Sequence, residues 1–453
     1  RYQQIFLSNE YGVNKGEGKL QEVLREAFPD SSIVHVGDNK ASDVEKTENA
    51  GIDAVLNHDQ RLLKGDQGAG DGDISGSMYR ALINNKMHSG TWEENVHYDY
   101  GYRVGGILAA GFCRYLNELA ERLEIDKILF CARDCEIVWR IYNRFYRRFD
   151  NSYISISRYA ILQATSELYF HDFIGRSVLR HASEKRSTMT ISAVLEEAGF
   201  GYLAEKLEEY DIERFLFPKN LKKGKLEEFL YANRDTIIEH NLNSKLAAEQ
   251  YYSDQVGSAK RILVVDIGWS GTCISALKYL LQQNRKCDEL EIFGALMCTS
   301  RNEVLTNSVS SCEFDSFLYS PQDNMDLTRF FMPGGRRSTR ELDLIHMPLE
   351  YLFTSTDSSL ARFEIDPSGK IELVKARRTP PNISEIASMQ EGMEDFNADY
   401  LSYESSCNHL GGGRLSRISP YLASAPLRDA IRDKNYCYEV YKNFVYDALS
   451  PLF

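Results

Sequence analysis

Apolar residues in this chain recur with two spacings, as short continuous runs and as positions repeated every third or fourth residue. Short runs predict buried strands, and the helical spacing predicts amphipathic helices. Gln4–Leu7 reads as a strand, Gly18–Ala27 as a helix, Ile33–Val36 as a strand, Asp43–Ala50 as a helix and Ile52–Leu56 as a further apolar run. This alternation predicts a parallel sheet. Gly65–Asp73, with four Gly and three Asp, cannot pack a core and is expected to be a linker.

The pattern then resumes on a larger scale. Tyr98–Leu123 has helical spacing and leads into a strand at Lys127–Cys131, with further strands expected at Tyr153–Ser157, Ile262–Asp266, Glu291–Met297 and Asp315–Tyr319. Thr165–Gln255 is almost wholly helical in pattern, and Ser270–Gln282 reads as a helix that follows its strand at once. Ala361–Lys375 alternates about Asp366-Pro367-Ser368-Gly369, a hairpin signal, and Ile383–Tyr400 and Leu427–Tyr446 read as helices. The expected division is 1–64, a linker over 65–80, an α/β domain over 81–332 with a helical insertion at about 165–255, and an α+β extension over 333–453.

Length and composition fit this picture: 453 residues, 43% hydrophobic and 26% charged, are enough for two or three globular domains. A net charge of −13 argues against nucleic acid or an anionic membrane as partner, and no run is long enough for a membrane span. The nine cysteines form no C-x-x-C pair; Cys131 and Cys135 are four apart, with no second pair to complete a zinc set. Free thiols and a reduced, cytoplasmic setting are expected.

Two groups of residues carry candidate chemistry. In the first, Lys15 stands in Asn14-Lys15-Gly16-Glu17-Gly18 ahead of a helix, Asp38 follows the strand ending at Gly37, and Asp43 lies five residues on. A carboxylate at the end of a parallel strand faces the ligand crevice and can hold Mg²⁺, and a nearby lysine can neutralise a phosphate. The Gly37-Asp38-Asn39-Lys40-Ala41-Ser42-Asp43 segment with Ala50-Gly51-Ile52 resembles motifs three and four of the haloacid dehalogenase superfamily. The resemblance covers about residues 3–57. It implies that Lys15 is the motif-three lysine, Asp38 a magnesium ligand and Asp43 an orienting carboxylate. The superfamily's nucleophilic aspartate and motif-two Ser/Thr precede this region, so these residues alone are expected not to hydrolyse phosphate monoesters.

In the second group, Ile262–Asp266 runs into Ile267-Gly268-Trp269-Ser270-Gly271-Thr272. The first turn of a helix exposes unpaired N–H groups, so Ser270, Gly271 and Thr272 can cradle a phosphate, while Asp266 can accept from sugar hydroxyls or bind Mg²⁺. Trp269, inside this loop, could stack on a sugar. After the strand Lys127–Cys131, Arg133 can grip phosphate, and Asp134 can hold Mg²⁺, act as a base, or form a local salt bridge with Arg133. Ser157-Arg158 places a second cation at the next strand end, and Glu350 closes an apolar stretch where it could face an acceptor.

The segment Asp266–Thr272 resembles the phosphoribosyl-diphosphate (PRPP) loop of type I phosphoribosyltransferases, with one acid, Asp266, where two are usual. Together with Ile128–Asp134 and Ser155–Arg158 it resembles, over 3–57 and 98–355, a bacterial group found with polysaccharide assembly. That resemblance implies transfer of 5-phospho-ribofuranose from PRPP to a glycan acceptor, Mg²⁺ dependence, a phosphatase that removes the 5-phosphate, and partners among glycan-assembly proteins. The alternatives are a phosphatase with a substrate-binding C-terminal module and a non-catalytic scaffold.

Overall fold

The computed structural model describes residues 5–37, 39–56, 74–87, 95–283, 289–299, 313–320, 323–331, 348–376, 382–407, 418–433 and 440. The chain divides into two compact units, Arg1–Gly68 and Ala69–Phe453. The glycine-rich stretch 65–73, read as a linker, lies outside the described residues.

In the first unit, β1 (Val34–Gly37) pairs in parallel with β2 (Asp53–Leu56), Val34 opposite Asp53 and Gly37 opposite Leu56. The helix Lys19–Ala27 precedes β1, and helical turns over Lys40–Glu45 and Lys46–Asn49 join the strands. The strand expected at Gln4–Leu7 is not formed over Ile5–Leu7, and Ser8–Tyr11 is a helical turn instead. Ile5 and Leu7 stay exposed, so their apolar content found no sheet to join.

The second unit is α/β. Its sheet comprises β3 (Lys127–Cys131), β4 (Asp150–Ile154), β5 (Arg261–Asp266), β6 (Glu291–Cys298) and β7 (Glu313–Tyr319), in the order β4-β3-β5-β6-β7 with every neighbouring pair parallel. Ile128, Leu129 and Phe130 in β3 and Ile262–Val265 in β5 are all fully buried. Strands buried on both faces read as continuous apolar runs, which is why these two were legible. The Asp126 carboxylate accepts from the N–H groups of Lys260 and Arg261, both at 2.8 Å, and so ties the start of β5 to the approach of β3.

Among the boundaries that differ from expectation, two lie at strand ends. The strand expected at Tyr153–Ser157 runs instead over Asp150–Ile154, because the Ser157 hydroxyl accepts from the Ala160 N–H and caps the helix Arg158–Ala164. The helix expected from Ser270 starts at Thr272, because Gly271 turns the chain through φ +64° just before it. The helical stretch between β4 and β5 packs a core of its own, including Phe170, Phe173, Leu195, Phe200 and Phe229.

The C-terminal part is woven into this unit. The hairpin of β8 (Leu360–Ile365) and β9 (Ile371–Lys375) turns on Asp366, whose carboxylate accepts from the N–H groups of Ser368 and Lys370. The helix Ile383–Cys407 lies against the helical run formed by Val96–Tyr100, Gly101–Gly105 and Gly106–Arg122. Tyr98 and Tyr102 donate to Asp395 (2.5 Å) and Asp399 (2.9 Å) across this contact. Residues 74–80, expected in the linker, belong to the helix Ile74–Met87, which buries Ser75, Met78 and Tyr79. The helix expected at Leu427–Tyr446 begins at Pro420, where the Ser419 hydroxyl caps it, and runs to Arg432; most of the remainder lies outside the described residues. No described helix is long and apolar enough to cross a membrane.

Glycine permits the closest approach of these helices: a Cβ on Gly101 would stand 1.9 Å from the Met389 carbonyl oxygen. Gly101→Ala should therefore push the helices apart and cost about 1–3 kcal/mol. Gly175→Ala, where a Cβ meets nothing within 4 Å, should be neutral or slightly stabilising. Thermal unfolding of the two variants beside the parent checks both expectations.

Candidate functional site

In the first unit the π-helical turn Lys40–Glu45 folds Asp43 back under the end of β1. Lys15 Nζ lies 2.8 Å from Asp43 Oδ1, and the Asn39 N–H donates to Oδ2 at 2.9 Å. His35 Nε2 is 3.4 Å from Oδ1. Burial pushes the Asp43 carboxyl upward, but hydrogen bonds from Lys15, Asn39 and His35 outweigh it and hold the pKa at about 2. Gly37 leaves the room this needs, since a Cβ there would stand 2.4 Å from Asp43 Cγ. Lys15 and Asp43 are thus brought together as expected, with Asp43 positioning the lysine. Asp38 lies outside the described residues.

The second group is assembled by topology. The chain leaves β3 toward β4 on one side and returns to β5 on the other, so strand order reverses between β3 and β5. At such a switch point the two following loops diverge and leave a crevice beyond the strand ends. The β3 loop holds Arg133 and Asp134. It is anchored by the Ala132 N–H to the Ile154 carbonyl (2.9 Å) and by the Cys135 thiol to the Val265 carbonyl (3.4 Å). Arg133 and Asp134 form no ion pair with each other, or with other described residues, so the local salt bridge is not made.

The β5 loop is pinned residue by residue. Asp266 Oδ1 accepts from the Ile267 N–H at 2.8 Å, and Thr299 Oγ1 donates to the Trp269 carbonyl at 2.8 Å. The half-buried Trp269 donates its indole N–H to Glu350 Oε1 at 2.6 Å. The hydroxyls of Ser270 and Thr272 share a hydrogen bond of 2.9 Å, and Gly271 packs on the Phe314 ring, where a Cβ would be only 2.6 Å away. The helix Thr272–Gln282 has no side-chain cap, so its first N–H groups are left unclaimed by the helix itself.

Electrostatics show which of these groups share one space. Burial, then the neighbouring Asp134, raises the Asp266 carboxyl to about 7, with Glu350 adding to the push and Arg158 opposing it. Burial also raises Asp134, against the pull of Arg133 and Arg158 and with Glu350 again raising it. Arg133, Arg158 and Glu350 thus act on Asp134, and Asp134, Arg158 and Glu350 act on Asp266, with Trp269 tied to Glu350. Arg158 occupies the first turn of its helix rather than a strand end, and its exposed guanidinium has no hydrogen-bond or ion-pair partner among the described residues.

Sequence reasoning missed Arg176. Its guanidinium is lowered by burial and by Arg158, and both arginines act on Cys273, whose thiol burial and Asp266 push to about 12. No local motif marks Arg176; the folded insertion carries it back to the start of the helix Thr272–Gln282. The Asp172 carboxylate lies 4.0 Å from its Nε. Comparison with family models and with curated proteins finds no match.

The Asp43 arrangement fixes a pH dependence. A carboxyl held below its unfolded value of 3.8 gives its full stabilisation above that pH and loses it as pH falls toward about 2. The contribution is at most about 2 kcal/mol, since Lys15 is half exposed and solvent screens it. Hydrogen-exchange protection of residues 34–56, corrected for intrinsic rates, should fall across that window. In Lys15→Met the loss should begin at higher pH.

Proposed function

We propose that the second unit is a PRPP-dependent glycosyltransferase that moves 5-phospho-β-ribofuranose to a bacterial polysaccharide acceptor. On the same reading the first unit is the lysine–carboxylate part of a haloacid-dehalogenase-type phosphatase that removes the 5-phosphate. The observation that carries the transferase is the meeting of the Arg133-Asp134 and Asp266–Thr272 loops at the switch point between β3 and β5.

Each group then has a task. The N–H groups at Ser270–Thr272 receive the 5-phosphate, as a helix start receives an anion. Arg133 and Arg158 hold the diphosphate. Asp266 accepts from the ribose hydroxyls and, as a carboxylate, stabilises positive charge developing at C1. The acceptor oxygen bonds to C1 as the bond from C1 to diphosphate breaks, and diphosphate leaves with the electron pair. Displacement from the face opposite the leaving group inverts C1 to the β configuration. The acceptor proton passes to Asp134, whose raised pKa makes it a stronger base than an ordinary aspartate. Trp269, held by Glu350, offers the acceptor a rigid aromatic face.

Mg²⁺ suits this donor set. Burial raises both Asp134 and Asp266, Asp134 adds to the rise of Asp266 and Glu350 to that of both, a crowding of carboxyls that a divalent cation would offset. Among the described residues no three acids, histidines or cysteines make a full cage, so substrate phosphates would complete its coordination. Bound there, the ion would neutralise charge on the diphosphate.

Arg133→Ala should weaken PRPP binding roughly ten- to a hundredfold, the loss expected from one charged hydrogen bond. Calorimetric titration with Mg²⁺ and PRPP checks it, and unchanged binding would place the donor elsewhere.

Asp266 gives a kinetic signature. A carboxyl raised to about 7 is largely protonated below that pH, so turnover should climb as pH rises through about 7. Asp266→Asn should lower turnover more than PRPP affinity and flatten the profile. Rates and PRPP affinities measured from pH 5 to 9, roughly two units either side of that value, test this.

A further inference from the structure

A cleft of about 1050 Å³ opens beside the helix Gly106–Arg122, bounded among others by Arg114, Tyr115, Phe145, Arg147, Arg148 and Phe317. Arg147 and Arg148 stand just before β4, at the end of the sheet opposite the strand ends that carry Arg133 and Asp266. The volume is about the upper size of a small-molecule site.

Charge is distributed unevenly here. Arg114 is matched by Glu404, Arg140 and Arg144 by Glu394, and Arg261 by Glu291. Arg147 and Arg148 are both exposed, and neither forms an ion pair or side-chain hydrogen bond with another described residue. Glu118 and Glu404 also line the cleft, the latter paired with Arg114, so three arginines against two glutamates leave one excess positive charge there among the described residues, in a chain of net charge −13, and favour an anion.

The segment that carries them is held from below. The Tyr142 hydroxyl accepts from the N–H groups of Arg148 (3.4 Å) and Phe149 (3.3 Å) and donates to Asn117 Oδ1 at 2.8 Å. Asn117 Nδ2 donates to the Tyr146 carbonyl at 2.9 Å, and the Tyr146 hydroxyl donates to Asn397 Oδ1 at 2.9 Å. Asn117 and Asn397 are buried, so interior amides are committed to fixing this backbone. A simple entry into β4 would need the backbone bonds but not two guanidiniums on the rim of a cleft.

We infer that this cleft binds a phosphorylated small molecule, with Arg147 and Arg148 gripping the phosphoryl oxygens and the ring of the ligand lying along Tyr115 and Phe145. The planar fork of arginine matches two phosphoryl oxygens at once, and aromatic walls suit a base or a sugar ring. None of these residues belongs to the crevice between β3 and β5, so the inference stands apart from the transferase reading.

Equilibrium dialysis of the full chain at low salt, with ADP, ribose 5-phosphate and inorganic phosphate as separate probes, tests it. The Arg147→Ala/Arg148→Ala variant should bind the preferred probe at least roughly tenfold more weakly. Arg133→Ala should leave that binding component intact. Preference for ADP identifies a nucleotide, preference for ribose 5-phosphate a sugar phosphate, and equal binding a phosphoryl pocket indifferent to its ring. Arg147→Lys/Arg148→Lys, which keeps the charge but not the fork, should bind with intermediate affinity, a result that misfolding would not give. No binding of any probe, or binding lost in Arg133→Ala and untouched in the double variant, overturns the inference. Loss of PRPP binding is a separate result that bears only on the crevice.

Discussion

Burial of β3 and β5 on both faces is the constraint from which the second unit follows. A strand with no solvent face needs a layer on each side, and parallel neighbours cannot be joined by a tight turn. The connections must therefore cross over, and the long helical stretch between β4 and β5 is one such crossing. With β4 on one side of β3 and β5 on the other, the chain leaves the two central strands in opposite directions. The crevice is a consequence of that order, as is the meeting of Arg133-Asp134 with Asp266–Thr272, although more than 100 residues separate the two loops in sequence.

The two units use buried carboxylates in opposite ways. Asp43 is 1% exposed, yet it is held acidic by a lysine, a backbone N–H and a histidine directed at its oxygens. Asp266 receives one backbone N–H and faces Asp134 and Glu350, and its pKa rises to about 7. Hydrogen bonds to the charged form fix Asp43 as a carboxylate that holds Lys15 in place. Burial first, and then its like-charge neighbours, leave Asp266 poised to gain or lose a proton near neutrality. The first arrangement suits orientation, and the second suits chemistry or a cation.

Much of this was legible in the sequence where one physical cause acts alone. The runs Ile128–Phe130 and Ile262–Val265 are strands because double burial admits little but apolar residues, and the Asp366–Gly369 turn carries its own hydrogen-bond donors and acceptors. Legibility failed where two causes compete. Ile154 and Ile156 are both buried, so the apolar pattern carried the strand too far, and the Ser157 cap decided where it ended. Gln4–Leu7 has the composition of a strand, but strand formation depends on a neighbour that local sequence does not supply. Arg133, Asp134, Asp266 and Trp269 could be chosen from their strand-end positions. Arg176 could not, because only the tertiary path of the insertion carries it to the same place.

That path makes the crevice a joint product of distant segments. The Ser157 hydroxyl both caps the helix bearing Arg158 and donates to the Leu360 carbonyl at 2.7 Å, so the hairpin β8–β9 helps set where that arginine stands. Ser355 donates to Glu136, just past the Arg133-Asp134 loop, and Gln390 donates to the Thr354 carbonyl at 3.1 Å. Thr354 in turn donates to the carbonyl of Glu350, the residue that holds the Trp269 indole. On the proposed reading, the sheet loops alone supply the groups that would hold a phosphorylated ribose. Residues 350–390 add a third carboxylate, Glu350, which holds the Trp269 ring of the β5 loop, and the supports of that carboxylate. On the proposed transferase reading, discrimination between acceptors should reside in this C-terminal layer, because it can change without disturbing the buried strands that place the two sheet loops.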